Sequence, residues 1–337
     1  MSLPRVVVTS RAFPETCALL APHARLDVNP SVEPWSYAEV QTRCRAASGL
    51  LAFMTDRLDA EFFAACPALR VVGAALKGYD NIDVAAATEA GVWVTIVPDL
   101  LTVPTAELAI GLMLALSRHI VAGDRSLRAH EFGGWRPQFY GTGVAGSTVG
   151  LVGLGRVGCA IAERLVPFGC RLLAHDRGVA TLPPALARHI ALTDFDTLVA
   201  ESDYIVLALP LTAETQHLID AGVIRRMKRG ARVINPARGS LVDERAMASA
   251  LADGQLAGYA ADVFECEDWA RPDRPARIEA RLVAPDAPTL LTPHIGSAVA
   301  DVRREIELSA ARSIVDVLAG RTPRHAVNAP KTVRAAC

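Results

Sequence analysis

A chain of 337 residues is long enough for two domains, each burying a core of its own. With 35 basic and 36 acidic residues its formal net charge is −1, which removes any electrostatic reason to expect nucleic acid or an anionic membrane as partner. With so little net charge, any attraction for a charged ligand must be local to a site.

The first third alternates short apolar runs with helical stretches. Arg5–Thr9, Gly49–Phe53, Arg70–Ala74 and Val92–Thr95 read as buried strands, with helices over Tyr37–Ala47, Ala60–Cys66 and Val84–Ala90 between them. That alternation predicts parallel pairing. A helix opening at Pro104-Thr-Ala-Glu107 has its proline near the start, where a missing N–H does little harm. It carries more apolar residues (Leu108, Ile110, Leu112, Met113, Leu114, Leu116) than one face needs, leaving core packing and a subunit interface both open. The stretch Leu108–Leu116 is too short to span a bilayer.

Strand candidates recur at Thr148–Val152, Arg171–Ala174, Tyr204–Leu209, Arg232–Asn235, Gly258–Asp262 and Thr289–Leu291, six parallel strands in all. One helix, Asp301–Leu318, follows and is expected to return to the first domain. The fold class expected is α/β: two doubly wound parallel-sheet domains, one flavodoxin-like and one of Rossmann type, with a cleft between them. Residues 1–99 plus 293–337 would form a substrate-binding domain and 100–292 the cofactor domain.

Seven cysteines (17, 44, 66, 159, 170, 266 and 337) are scattered without any Cys-x-x-Cys pair. Neither a disulfide framework nor a metal site is expected, and a reducing, cytoplasmic setting is. The N-terminal stretch lacks a secretory hydrophobic region.

Gly153-Leu-Gly155-Arg-Val-Gly158 follows one expected strand and opens a helix at Cys159–Leu165. In that context the glycines allow a tight turn and close backbone approach, and the helix start offers free N–H groups to a pyrophosphate. Asp176 falls eighteen residues after Gly158, the separation expected of a carboxylate gripping the adenosine ribose hydroxyls. It favours NAD, while Arg177 beside it could pair with a 2′-phosphate; NAD preference with measurable NADP use is expected.

Three residues end successive strands on one sheet edge: Arg238, Glu267 and His294. A histidine beside a carboxylate suits acid–base work near neutral pH, and an arginine can clamp an oxyanion with parallel hydrogen bonds. Lys77, at the mouth of the run Arg70–Leu76, adds a cation where open α/β folds bind ligands.

The order Gly-x-Gly-x-x-Gly, Asn-Pro-Ala-Arg-Gly (235–239), Asp-Val-Phe-Glu-x-Glu (262–267) and Pro-His-Ile-Gly (293–296) resembles the D-2-hydroxyacid dehydrogenase superfamily. The resemblance implies Arg238, Glu267 and His294 as catalytic residues, NAD as hydride carrier and a homodimer formed through the cofactor domain. It further implies Lys77, Thr105, Gly153, Gly155, Arg156, Val157, Gly158, Asp176, Arg177, Leu209, Pro210, Ala237, Asp262 and His294 as cofactor-binding. Segments 69–81, 97–112, 135–143 and 267–271 are similar to the phosphite-oxidising (phosphonate dehydrogenase) branch. That branch implies Met54, Lys77, Gly78, Trp135, Tyr140, Arg238, His294, Ser297 and Arg303 as substrate-binding. Asp176-Arg177 departs from the branch's Glu-Ala.

Three cations, Lys77, Arg238 and Arg303, exceed what a monocarboxylate needs, so phosphite oxidation to phosphate with hydride transfer to NAD+ is the expected activity. Reduction of a 2-keto acid to a D-2-hydroxy acid is the alternative. An NAD-sensing, corepressor-like binding protein is a third, disfavoured by the intact Arg-Glu-His set.

Overall fold

The computed structural model describes residues 3–130, 132–179, 181–269, 271, 273–332 and 334. Cys337, and Ala270 of segment 267–271, which figure in the expectations above, lie outside them. By contacts the chain divides into two compact units: Met1–Leu101, Trp269–Pro272 and Ser297–Cys337, and Thr102–Asp268 with Asp273–Gly296. The fold is α/β, each unit built on one parallel sheet.

The first unit runs β1 (Arg5–Val8), α1 (Pro14–Leu20), β2 (Arg25–Val28), α2 (Tyr37–Cys44), β3 (Gly49–Ala52), α3 (Ala60–Ala65), β4 (Val71–Ala74), α4 (Val84–Glu89) and β5 (Trp93–Thr95). Its strand order is β2-β1-β3-β4-β5. The central β3 and β4 are buried at every position, which is why they read as unbroken apolar runs. Side chains cap the helices that follow: Ser36 accepts from Glu39 N–H, Asp59 from Phe62 and Asp83 from Ala86. β2 was not anticipated. It lies at the sheet edge with a half-exposed, charge-bearing sequence, Arg-Leu-Asp-Val, that shows no apolar run.

The second unit begins with α5 (Thr102–Ser117) and α6 (Ile120–Ala129). It continues β6 (Thr148–Val152), α7 (Arg156–Leu165), β7 (Arg171–His175), β8 (Ile190–Leu192), α8 (Phe195–Glu201), β9 (Tyr204–Leu207) and α9 (Ala221–Arg226). Then come β10 (Ala231–Asn235), α10 (Glu244–Ala252), β11 (Leu256–Ala261) and β12 (Thr289–Leu291). The sheet has seven strands among the described residues, ordered β12-β11-β10-β9-β6-β7-β8, not the six expected. The extra strand, β8, is a three-residue edge strand, too short to leave a pattern.

Strand periodicity divides its core in two. Ile205, Leu207, Val233 and Tyr259 face one layer of helices; Tyr204, Val206, Ile234 and Ala260 face the other. α5 belongs to the second layer, burying Ala106, Ala109, Leu112, Met113 and Leu116. No single helix among the described residues is long and apolar enough to cross a membrane.

The last helix, α11 (Ala300–Leu318), packs onto β3 and β4 of the first unit. Gly73 marks how tightly. A Cβ there would stand 2.7 Å from the Ala310 carbonyl oxygen and 2.8 Å from Ile314.

Candidate active site

All strand pairs of the second unit are parallel: Val152 is in register with His175 and Leu207, Asn235 with Ala261, and Ala261 with Leu291. Gly153, Asp176, Leu209, Ala237, Arg238, Asp262 and His294 therefore leave the sheet at its carboxyl edge. The strand order reverses between β6 and β9, the place where open α/β sheets bind ligands.

Each glycine of the loop has its own reason. Gly153 has φ +100°, a left-handed turn, and a Cβ there would lie 2.4 Å from the Ala208 carbonyl oxygen. Gly158 lets α7 lie against the strand end, since a Cβ would sit 2.1 Å from the Gly153 carbonyl oxygen. Gly155, which caps α7, has open space where a side chain would be. That open backbone before a ten-residue helix fits a dinucleotide pyrophosphate. Exposed Arg156 and half-buried Val157 open the helix.

Asp176 closes the loop from the next strand. One carboxylate oxygen accepts from Leu154 N–H (2.7 Å), the other from Gly178 N–H (2.8 Å). Arg177 is exposed and close enough to Glu214 to help hold that carboxyl below its ordinary range, after the Thr212 hydroxyl and a backbone N–H. Leu209 borders Gly153, and Pro210 follows it in the open.

Arg238 and Glu267 stand on two short 3-10 turns, Gly239–Leu241 and Glu265–Glu267. The turns touch: a Cβ at Gly239 would be 1.8 Å from the Phe264 carbonyl carbon. Asn235, absent from the expected site residues, fixes the first turn. Its amide donates to the Arg238 carbonyl (2.7 Å) and its oxygen accepts from Ala237 N–H (3.1 Å).

The structure brings Glu267 and His294 together, with Nδ1 of the ring 2.8 Å from Glu267 Oε2. The other carboxylate oxygen accepts from Phe264 N–H (2.8 Å). His294 has φ +53°, unusual for a side-chain-bearing residue, and its N–H donates to the Asp262 carbonyl (2.8 Å).

Asp262, 1% exposed, binds the same loop through its side chain. It accepts from the Thr292 hydroxyl (2.6 Å), Ile295 N–H (2.8 Å) and Gly296 N–H (2.7 Å). Burial raises its pKa against these bonds. Thr105 of α5 reaches the same loop, its hydroxyl 3.4 Å from where a Gly296 side chain would begin. Trp135 and Tyr140 lie on the stretch after α6, 76% and 74% exposed.

In the first unit, Ala52 pairs with Ala74, so Met54, Lys77 and Gly78 leave the carboxyl edge of adjacent strands. Arg303 of α11 comes to that edge, with Nη1 3.4 Å from the Ala75 carbonyl oxygen and 3.5 Å from the Ser297 hydroxyl. Burial lowers the Arg303 pKa, and Glu307 opposes that shift from one helical turn away. Glu307, 3% exposed, is a second residue missed from sequence. It accepts from Phe13 N–H (2.9 Å) and the Thr16 hydroxyl (3.1 Å), and burial raises its pKa. The only available signal was its place four residues after Arg303 on a helix.

The fold, the glycine loop and the histidine–carboxylate pair define a nicotinamide-dependent oxidoreductase. Residues 110–296 match the model of the D-isomer specific 2-hydroxyacid dehydrogenase, NAD binding domain, and the chain belongs to that family. It is 38% identical over 337 residues to the glyoxylate reductase of Thermofilum pendens, a match covering 97% of this chain and 95% of that protein. Among solved structures it resembles the TT0316 protein of Thermus thermophilus (TM-score 0.86, 35% identity, 96% and 100% of the two chains covered). It also resembles the NADPH-dependent glyoxylate/hydroxypyruvate reductase of Sinorhizobium meliloti, solved with NADP and malonate (TM-score 0.83, 29% identity, 99% of both chains covered).

These relatives correct the expectation of phosphite oxidation: the named activities are reductions of 2-keto acids, the alternative reading. The charge count behind the expectation was too simple. Glu307 opposes the burial shift of Arg303 within its own helix, and charge-assisted bonds from an arginine suit a carboxylate as well as a phosphorus oxyanion. NAD(P) as cofactor is supported by the family model and by the NADP complex of the S. meliloti enzyme.

Proposed function

We propose that this protein reduces a small 2-keto acid of the glyoxylate or hydroxypyruvate class to the 2-hydroxy acid. The observation that carries the reading is the Glu267–His294 pair (2.8 Å) on the carboxyl edge of a dinucleotide-binding sheet. The glycine loop and Asp176 would hold a reduced dinucleotide by its pyrophosphate and ribose, and the group would supply hydride for C2 of the keto acid. Glu267 holds the His294 ring through Nδ1, which leaves Nε2 to give a proton to the carbonyl oxygen. One hydride to C2 and one proton to its oxygen convert the carbonyl to the alcohol. Arg238 would take the carboxylate or carbonyl oxygen with charge-assisted hydrogen bonds. Asp262 accepts three hydrogen bonds where a carboxylate has about four lone-pair sites, so it retains capacity for one donor such as a carboxamide.

Thr105, Gly153, Gly155, Arg156, Val157, Gly158, Asp176, Arg177, Leu209, Pro210 and Ala237 are the proposed cofactor contacts on this unit. Met54, Lys77, Gly78, Ser297 and Arg303 are proposed substrate contacts from their place at the carboxyl edge of the first sheet; Trp135 and Tyr140 were implied only by the phosphite-oxidising branch and are not proposed. A homodimer through the cofactor unit is part of the proposal, supported by apolar side chains exposed on and after α6: Ile120, Leu127 and Phe132.

The test is NADH consumption with glyoxylate and with hydroxypyruvate. The wild type should turn both over, and His294→Asn should lower kcat by about 10²–10⁴-fold. NADH formation from phosphite and NAD+, with no consumption on either keto acid, would overturn the reading.

A further inference from the structure

Outside the substrate-facing set stands a second histidine–carboxylate contact. His217 Nε2 lies 2.9 Å from Glu265 Oε2, and Glu265 is 6% exposed. The backbone N–H of His217 donates to the Ser240 carbonyl at 2.7 Å. Ser240 belongs to the turn that follows Arg238, and Glu265 opens the turn that ends at Glu267. One residue thus holds both turns, by its main chain on one side and its ring on the other. His217 also has φ +51°, a left-handed backbone that β-carbon-bearing residues adopt only when the surroundings impose it.

The neighbouring bonds converge on the same two turns. The other Glu265 oxygen accepts from Glu244 N–H (3.1 Å), and Glu244 Oε1 accepts from Glu265 N–H (2.8 Å). Asp268 accepts from Ser240 N–H at 2.6 Å. Burial raises the Glu244 pKa, so this support is dry as well as bonded.

We propose that His217 is a positioning residue for the reaction: it staples the Arg238 turn to the Glu267 turn and so sets the Glu267–His294 pair. The inference rests on the dehydrogenase reading for its kinetic arm only. Arg238 immediately precedes one three-residue turn and Glu267 ends the other, and displacement of a catalytic group by about 1 Å can lower turnover 10²-fold. His217 is not a catalytic residue, since it acts through those turns.

His217→Ala, which removes the ring, and His217→Gln, which keeps an N–H donor, are compared with wild type. On glyoxylate, His217→Ala should lower kcat at least tenfold with KM for NADH within twofold, and His217→Gln should recover most of the loss. Independently of any substrate, proton NMR reads the deshielded imidazole N–H shared by His294 and Glu267, assigned by its absence in His294→Asn. That signal should broaden or vanish in His217→Ala and persist in His217→Gln. An unchanged NMR signal, or kcat within twofold of wild type in His217→Ala, overturns the staple. So does a kcat loss matched by an equal loss of NADH affinity. Absence of keto-acid turnover in the wild type sinks the reaction instead and leaves the NMR arm decisive for His217.

Discussion

Asp176 carries the single charge proposed to choose between two cofactors. Its carboxylate accepts from Leu154 and Gly178 N–H groups at the rim of the loop, while Arg177 beside it is exposed. A negative group held there repels a 2′-phosphate, and the neighbouring guanidinium attracts one. Asp176→Asn keeps an acceptor for the loop and removes the charge. The ratio of kcat/KM for NADPH over NADH should rise tenfold or more, about 1.4 kcal/mol, in steady-state assays with each cofactor. An unchanged ratio would mean that Asp176 only braces the loop. Residues such as Gly153, Gly158 and Asp176 were legible in sequence because each answers a local backbone demand within one βα unit. His217 was not: its partner Glu265 lies 48 positions away, and nothing near it signals the pairing. Asn235 and Glu307 escaped for a related reason, because polar residues that hold a turn or a guanidinium look like ordinary surface residues until the bonds are seen.

At the level of elements, the buried strands of both sheets were recognisable, whereas the edge strands β2 and β8 were too polar or too short. The turn after β3 carries a titration device of its own. Asp56, 5% exposed, accepts from Phe53 N–H (2.8 Å) and the Thr9 hydroxyl, and burial pushes its pKa up to about 6. The folded chain therefore keeps this proton at a pH where the unfolded chain has lost it. The stability it contributes is fully present below about pH 4 and is lost as pH rises through 6, a change of about 3 kcal/mol. Urea unfolding at pH 4.5 and 7.5 should show that slope flattened in Asp56→Asn. Helix-on-sheet packing offers a sharper test. Gly73→Ala would drive a methyl into the Ala310 carbonyl and Ile314, lowering stability by about 1–3 kcal/mol in denaturant melts. Wild-type stability in that variant would mean that α11 yields more readily than its contacts suggest.

For the molecule as a whole, near-zero net charge leaves association to apolar surface. Light scattering should give twice the 35.8 kDa chain mass, and Ile120→Asp with Leu127→Asp should shift it to the monomer. A wild-type monomer would exclude the proposed dimer. The two-sheet architecture was readable from strand–helix alternation alone, because parallel sheets need crossovers. The substrate was not: cations at a sheet edge declare an anion without saying whether carbon or phosphorus carries it.

The return of α11 to the first sheet also sets a timetable. A ribosome releases β3 and β4 long before Ala310 and Ile314 exist to cover them, while Thr102–Asp268 emerges as one uninterrupted stretch. The nascent chain must carry a bare patch that includes Val6, Leu51 and Val71 through most of its synthesis, so the earliest-born third of the protein is the last to be sealed.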